Sequence, residues 1–216
     1  MILLEKIPPI RYRCPVCGLP YRSSMYRSGG MLGYNAYSDG SVDRYDFNTL
    51  WLTRCPRCKS FFAKRHLVLC EEIEDTPISG SVDYRSNGIE SRYELSFWEE
   101  ARQKGLFFPP HITEAEKESF STDVLLGLWR AANRQRSDFG EGKYRELCHS
   151  LLERIKPLDT ERRLHIAELY RNLGDFDAAV SVLGLTPKDR RYIFRAYAIE
   201  RTAKIGYRET VKLKIM

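Results

Sequence analysis

Two Cys-Pro-x-Cys turns, Cys14-Pro15-Val16-Cys17 and Cys55-Pro56-Arg57-Cys58, constrain this chain more than any other feature of its 216 residues. A Cys-x-x-Cys turn brings two thiolates to one side of the backbone, and two such turns supply the four sulfurs that a tetrahedral zinc ion takes. The 37 residues between the turns must loop out and return. That geometry predicts a small antiparallel sheet whose hairpin tips carry the cysteines. Four sulfurs close the coordination shell, so the expected cofactor is one structural Zn2+ on Cys14, Cys17, Cys55 and Cys58, with no open position for catalysis. Disulfides or a redox dithiol are the competing readings.

Compartment decides between them. The amino end, MILLEKIPPIRYR, has too short an apolar run for a signal peptide and carries Glu5 inside it, and no later stretch has the apolar length that spans a bilayer. The expectation is a cytoplasmic protein with no membrane partner, where paired cysteines are more often metal ligands than disulfides. Arg13, Arg54, Arg57 and Lys59 are placed to offset the negative charge of a zinc tetrathiolate. Cys70 and Cys148 have no partner at ligand spacing; Cys148, beside Leu147 and Leu151, reads as a small buried residue, and Cys70 as the end of a strand. Of His66, His111, His149 and His165, none shows paired ligand spacing, and only His66 is a conceivable substitute ligand.

Residues 1–70 mix turn residues with short β-type runs, and 71–92, rich in Gly, Ser and acidic residues, read as a linker or long loop. From Tyr93 the period becomes helical. Tyr93, Phe97 and Ala101 are spaced for one helix face that Gly105 ends, and Thr113 with Glu116 forms a capping box. Helices are predicted near 121–136, 141–155, 159–173, 175–183 and 187–205, with Thr186-Pro187 opening the last. On that last helix Ile193, Ala196 and Tyr197 are expected to face inward, with Arg190, Arg191, Arg195 and Arg201 mostly outward. The fold class is therefore α+β: a β-rich zinc ribbon over 1–70, then a helical domain over 93–216.

Within that helical domain, residues 166–183 read IAELYRNLGDFDAAVSVL, which resembles a tetratricopeptide (TPR) repeat at Ala167, Tyr170, Gly174, Phe176, Ala179 and Leu183. Small Ala167 and Ala179 let two helices approach, Gly174 supplies a left-handed exit, and Tyr170 and Phe176 fill the space between. The expected hairpin spans 159–184. A Cys-Pro-x-Cys pair, a polar stretch with Asp39 and Asp43, Trp51, a second Cys-Pro-x-Cys and the TPR-like segment are together similar to a bacterial family, DUF2225. That resemblance implies no activity, and Lys59 stands where the family often has Gly.

Charge and motifs bound the function classes. Lys and Arg outnumber Asp and Glu by 35 to 29, and the excess is uneven: residues 1–66 hold 11 basic against 4 acidic, 67–120 hold 5 against 12, and 121–216 hold 19 against 13. No phosphate loop, nucleophile elbow or metalloprotease helix is present, so the sequence points away from an enzyme. It favours a protein-binding module, an adaptor or an inhibitor of a partner protein, whose partner sits on the helical hairpins or the acidic middle. The alternative is a nucleic-acid-binding zinc ribbon, in which Tyr12, Tyr21, Tyr26, Tyr34 and Tyr37 stack bases while Arg11, Arg13, Arg22 and Arg27 meet phosphates. Packing of those tyrosines in a sheet explains the same pattern.

Overall fold

The computed structural model describes residues 5–6, 10–23, 26–27, 35–40, 42–43, 51–66, 68–69, 82–83, 94–184 and 192–213. The strands in chain order are β1 (Glu5–Lys6), β2 (Ile10–Arg13), β3 (Pro20–Ser23), β4 (Tyr26–Arg27), β5 (Asn35–Ala36), β6 (Val42–Asp43), β7 (Leu52–Arg54), β8 (Phe61–Ala63), β9 (Val68–Leu69) and β10 (Val82–Asp83). The helices are α1 (Leu95–Lys104), α2 (Glu114–Arg134), α3 (Arg136–Phe139), α4 (Glu141–Arg154), α5 (Thr160–Leu173), α6 (Phe176–Gly184) and α7 (Ile193–Lys204). Helix dominates. The chain forms two compact units, one of residues 1–32 and 45–124 and the other of 33–44 and 125–216.

In the first unit β2 pairs antiparallel with β3 and β9, and β10 adds to β3 in parallel, giving the order β10-β3-β2-β9; β1 pairs with β4. Thus Val82–Asp83, inside the stretch read as a linker, is a strand. The β-branched Val82 suits a pleated backbone where its Ser and Gly neighbours do not. A separate two-stranded antiparallel sheet pairs Leu52 with Ala63, Thr53 with Phe62 and Arg54 with Phe61. Three consecutive β8 residues, Phe61, Phe62 and Ala63, are buried, so both faces of that strand are covered. Helix α1 supplies part of the cover: Phe97, Trp98 and Ala101 are buried, and the Phe97 ring meets Phe61 edge-on at 5.3 Å.

Gly105 ends α1 at φ 72°, and the Phe107 N-H then donates to the Phe61 carbonyl at 2.7 Å. The predicted capping box forms at the start of α2. Glu116 Oε2 accepts from the Thr113 N-H at 3.0 Å, and Thr113 Oγ1 accepts from the Glu116 N-H at 3.3 Å. The helix then runs unbroken for 21 residues. No second start occurs at 121–123, because the Thr122 hydroxyl donates to the Glu118 carbonyl one turn back and stays within the helix.

In the second unit Asp159 caps α5 by accepting from the Arg162 N-H at 2.8 Å, and Gly174 closes it at φ 88° while the Asp175 N-H donates to the Tyr170 carbonyl. Helices α5, α6 and α7 share an apolar cluster of Leu164, Ala167 and Ile199, against which Val182, Leu183, Tyr192 and Ala196 pack. Residues 185–191, including Thr186-Pro187, Arg190 and Arg191, lie outside the described residues, as do Tyr34 and Cys70.

On α7 Ala196 packs inward and Arg201 is exposed as expected, but Arg195, Ile193 and Tyr197 are placed the other way. Arg195, Ile199 and Ala203 are its buried residues, whereas Ile193, Phe194 and Tyr197 are exposed. The cause is a buried acceptor from far away in sequence: Arg195 Nε donates to the Ser38 carbonyl at 2.7 Å. A guanidinium so satisfied can turn inward, and the 3.6-residue period then carries Ile193 and Tyr197 out.

Ser38 belongs to a polar core. Its hydroxyl donates to Glu168 Oε1 at 2.6 Å and accepts from the Val211 N-H at 3.0 Å. Glu168 takes a two-pronged contact from Arg171, Nε to Oε2 at 2.8 Å and Nη2 to Oε1 at 2.6 Å, with neither side chain exposed. Arg171 Nη1 also donates to the Tyr207 carbonyl. Asp39 accepts from Asn133 Nδ2 at 3.0 Å, and Tyr37 bridges to Lys212. Gly40 is required: a Cβ there would sit 2.8 Å from Arg195 Nη1. Burial and neighbouring Arg130 lower the Arg195 pKa to about 10, with Glu168 and Asp39 opposing, so it stays charged at neutral pH.

His165 is buried in this region with its Nε2 3.1 Å from Arg130 Nη2. Burial first, then Arg195, Arg130 and Arg162, hold its pKa well below the ordinary histidine value, so the ring is neutral and Nε2 accepts from Arg130. Below the unfolded-state pKa of about 6.5 the unfolded chain takes up a proton that the folded chain refuses. Stability contributed by neutral His165 is therefore complete above about pH 6.5 and falls by up to about 1.4 kcal/mol per pH unit below it, until the folded pKa is reached. Denaturant unfolding at pH 7.5 and 5.5 is expected to show this loss in the native protein and to show less of it in His165→Gln.

Candidate metal centre

The two cysteine turns adopt one backbone design. In the first, the Cys14 N-H donates to the Leu19 carbonyl at 2.8 Å and the Gly18 N-H to the Cys14 carbonyl at 3.0 Å; in the second, the Cys55 N-H donates to the Ser60 carbonyl at 2.9 Å and the Lys59 N-H to the Cys55 carbonyl at 2.9 Å. Each turn then needs a left-handed residue after its second cysteine. Gly18 fills that position at φ 68° and Lys59 at φ 59°. Lys59 is the non-glycine residue with positive φ among the described residues.

Left-handed backbone costs an ordinary L-residue roughly 1–2 kcal/mol, offset in part by the chain entropy that a glycine loses on folding. Lys59→Gly is therefore expected to raise unfolding free energy by about 1 kcal/mol with metal content unchanged, read by denaturant titration and elemental analysis. A loss of stability would mean that the Lys59 side chain itself supports the turn.

The turns bring Cys14, Cys17, Cys55 and Cys58 together, all four Sγ atoms lying within 4.8 Å of one another. Cys14 and Cys58 Sγ are 3.9 Å apart, and Cys17 and Cys55 Sγ 3.7 Å. A metal-sulfur bond of about 2.3 Å in a tetrahedron sets the sulfur-sulfur edge at about 3.8 Å, so the spacing fits one four-coordinate ion. It does not fit a disulfide, whose sulfurs sit about 2.05 Å apart. All four are free thiols in the structure.

The surroundings suit thiolates bound to a cation. The Val16 N-H points at Cys14 Sγ at 3.4 Å, joined by that of Cys17, while the Leu19 N-H points at Cys17. Ser60 Oγ lies 3.4 Å from Cys58 Sγ. Leu19, Phe62 and Phe107 pack around the sulfurs, and burial pushes the Cys14 thiol up to about 12. Burial likewise raises the Cys17 thiol, so a cation bound here would supply the charge that displaces these protons.

Arg54, expected among the cations serving the sulfurs, is instead bonded to Glu100, which Lys104 also pairs at 2.7 Å. Arg13, Arg57 and Lys59 are exposed. His66 stands outside the sulfur cluster, buried edge-on against the Phe108 and Phe120 rings. Cys148 is buried, and His111 and His149 are exposed.

Among the TPR-like positions, Ala167 and Ala179 are fully buried, Gly174 is left-handed, Leu183 packs on the α5–α7 cluster, and Tyr170 and Phe176 are half-buried. What sequence reasoning missed is the polar core around Ser38, Glu168, Arg171 and Arg195. Its one legible signal was the Tyr37-Ser38-Asp39-Gly40 turn, whose partners lie more than ninety residues away.

No protein-family model, no curated protein and no solved structure matches this chain. No helix among the described residues is long and apolar enough to cross a membrane.

Proposed function

We propose that this chain is a non-catalytic protein-binding module, an adaptor or an inhibitor of a partner protein, braced by one structural zinc ion on Cys14, Cys17, Cys55 and Cys58. Zinc suits an all-sulfur tetrahedral set, and such a set leaves no vacant coordination position for substrate or water. The helical hairpin α5–α6, with its small Ala167 and Ala179 and its Gly174 exit, supports a TPR-like reading of the second unit, the kind of scaffold that presents surfaces to other proteins. A cytoplasmic site accords with four reduced cysteines.

The observation that carries the reading is the outer face of α7. Ile193 and Phe194 are each 48% exposed, Tyr197 62% and Ile205 73%. Exposed apolar side chains clustered on one helix face form the kind of patch that marks a protein-binding surface. The nucleic-acid alternative draws less support: Tyr37 already holds the Arg134 guanidinium 3.5 Å over its ring.

Affinity capture from native bacterial lysate, with and without nuclease, tests the proposal after elemental analysis has established one zinc per chain. A stoichiometric protein partner that survives nuclease is the expected outcome. Nucleic acid alone, released by salt, would replace the reading with the nucleic-acid one.

A further inference from the structure

Taking the protein-binding reading as its basis, we infer that the outer face of α7 receives an acidic amphipathic helix of a partner protein. The face is a single line of exposed residues at helical spacing: Ile193 and Phe194, then Tyr197, Arg201, Lys204 and Ile205. At 1.5 Å per residue it runs about 18 Å, the length of an apolar stripe on a partner helix of three to four turns.

Its two ends differ in chemistry. The amino-terminal half is aromatic and aliphatic, with Phe194 and Tyr197 of the residue types that dominate binding energy at interfaces. The carboxyl-terminal half is cationic. Arg201 is exposed, and Lys204 is met only by Glu200 at 2.5 Å among the described residues. Among the described residues that follow Arg195, the one basic residue of α7 that turns inward, Arg201, Lys204, Arg208 and Lys212 are all exposed, against the two acids Glu200 and Glu209.

An apolar stripe beside a net positive charge selects against a basic helix, and favours one whose own apolar stripe is flanked by Asp and Glu. A second copy packed antiparallel about a two-fold axis would lay each cationic end against the other's apolar end and supply no acidic counterpart for Arg201, which favours an acidic partner over self-association.

The test is selection of a displayed library of randomised helical peptides on the zinc-loaded full chain, with a Phe194→Ser/Tyr197→Ser variant and an Arg201→Glu variant as comparators. All three substituted positions are exposed, and circular dichroism checks that the variants keep their helix content. The expected result is enrichment of peptides carrying an i, i+3, i+4 apolar stripe flanked by acidic residues. Binding of those peptides should fall about thirtyfold or more in the double variant. It should fall by about fivefold, with the acidic preference lost, in Arg201→Glu.

Enrichment without acidic bias, no enrichment, or binding indifferent to the variants would overturn the inference. So would a native dimer that the double variant dissociates. A captured protein partner that stays bound to the double variant would move its site elsewhere and leave the protein-binding reading standing, so the two failures are distinct.

Discussion

Cys55→Ser is expected to abolish stoichiometric metal binding and to unfold the first unit, the largest effect of any single substitution in this chain. Cys55 is fully buried, and its turn holds one of two matched cysteine pairs. Structural zinc contributes about 10–16 kcal/mol to the folding of small zinc modules at neutral pH, comparable to or larger than the 5–15 kcal/mol net stability of a whole domain. The apolar cover of β7 and β8 does not substitute for it, because three of the four sulfurs would be left converging without a cation. Elemental analysis and amide exchange over 52–63 and 97–101 read the outcome. A chelator strong enough to strip the native protein should produce the same exchange pattern. Cys17→His is the control: Cys17 is half-buried, and three sulfurs with one imidazole remain a competent zinc set, so metal is expected to be retained. Should Cys55→Ser keep native exchange after losing metal, the centre would not be structural.

The reason this site was legible in the sequence is that every part of it is local. Each turn encodes its own geometry in five residues, through the proline, the two cysteines and the left-handed Gly18 or Lys59. Only the meeting of the two turns is non-local, since they cap the β2–β3 and β7–β8 hairpins of two separate sheets. The same holds for the Thr113–Glu116 capping box and the Gly174 exit, where cause and effect lie within one helical turn. The orientation of α7 was not legible, since periodicity alone counts Arg195 as a surface residue. Whether an arginine turns inward depends on an acceptor waiting for it, here the Ser38 carbonyl 157 positions away. The placement of residues 33–44 within the helical unit was hidden for a related reason: the segment is short and polar, and it is held by hydrogen bonds donated by Asn133, Arg195 and Val211 and accepted by Glu168 rather than by an apolar pattern.

That polar core leads to the second large effect. Glu168→Ala should destabilise the second unit by about 3–5 kcal/mol, because it leaves the Arg171 charge buried without its counter-ion and removes the acceptor of the Ser38 hydroxyl. Removing both charges is the instructive comparison. In a pair whose only contacts were with each other, replacing both members by apolar residues of similar size would cost little, since the desolvation of two ions is avoided along with their attraction. Here each member also serves a third group, Glu168 the Ser38 hydroxyl and Arg171 the Tyr207 carbonyl. The double variant Glu168→Leu/Arg171→Met is therefore expected to recover only part of the loss, with a coupling energy of about 1–3 kcal/mol by double-mutant cycle in denaturant unfolding. Full recovery would mean that Ser38 and the Tyr207 carbonyl find other partners, with the 33–44 segment held by its remaining hydrogen bonds from Asn133, Arg195 and Val211. No recovery would mean that the ion pair acts chiefly as the fastener of that segment, with the charges dispensable to each other but not to Ser38.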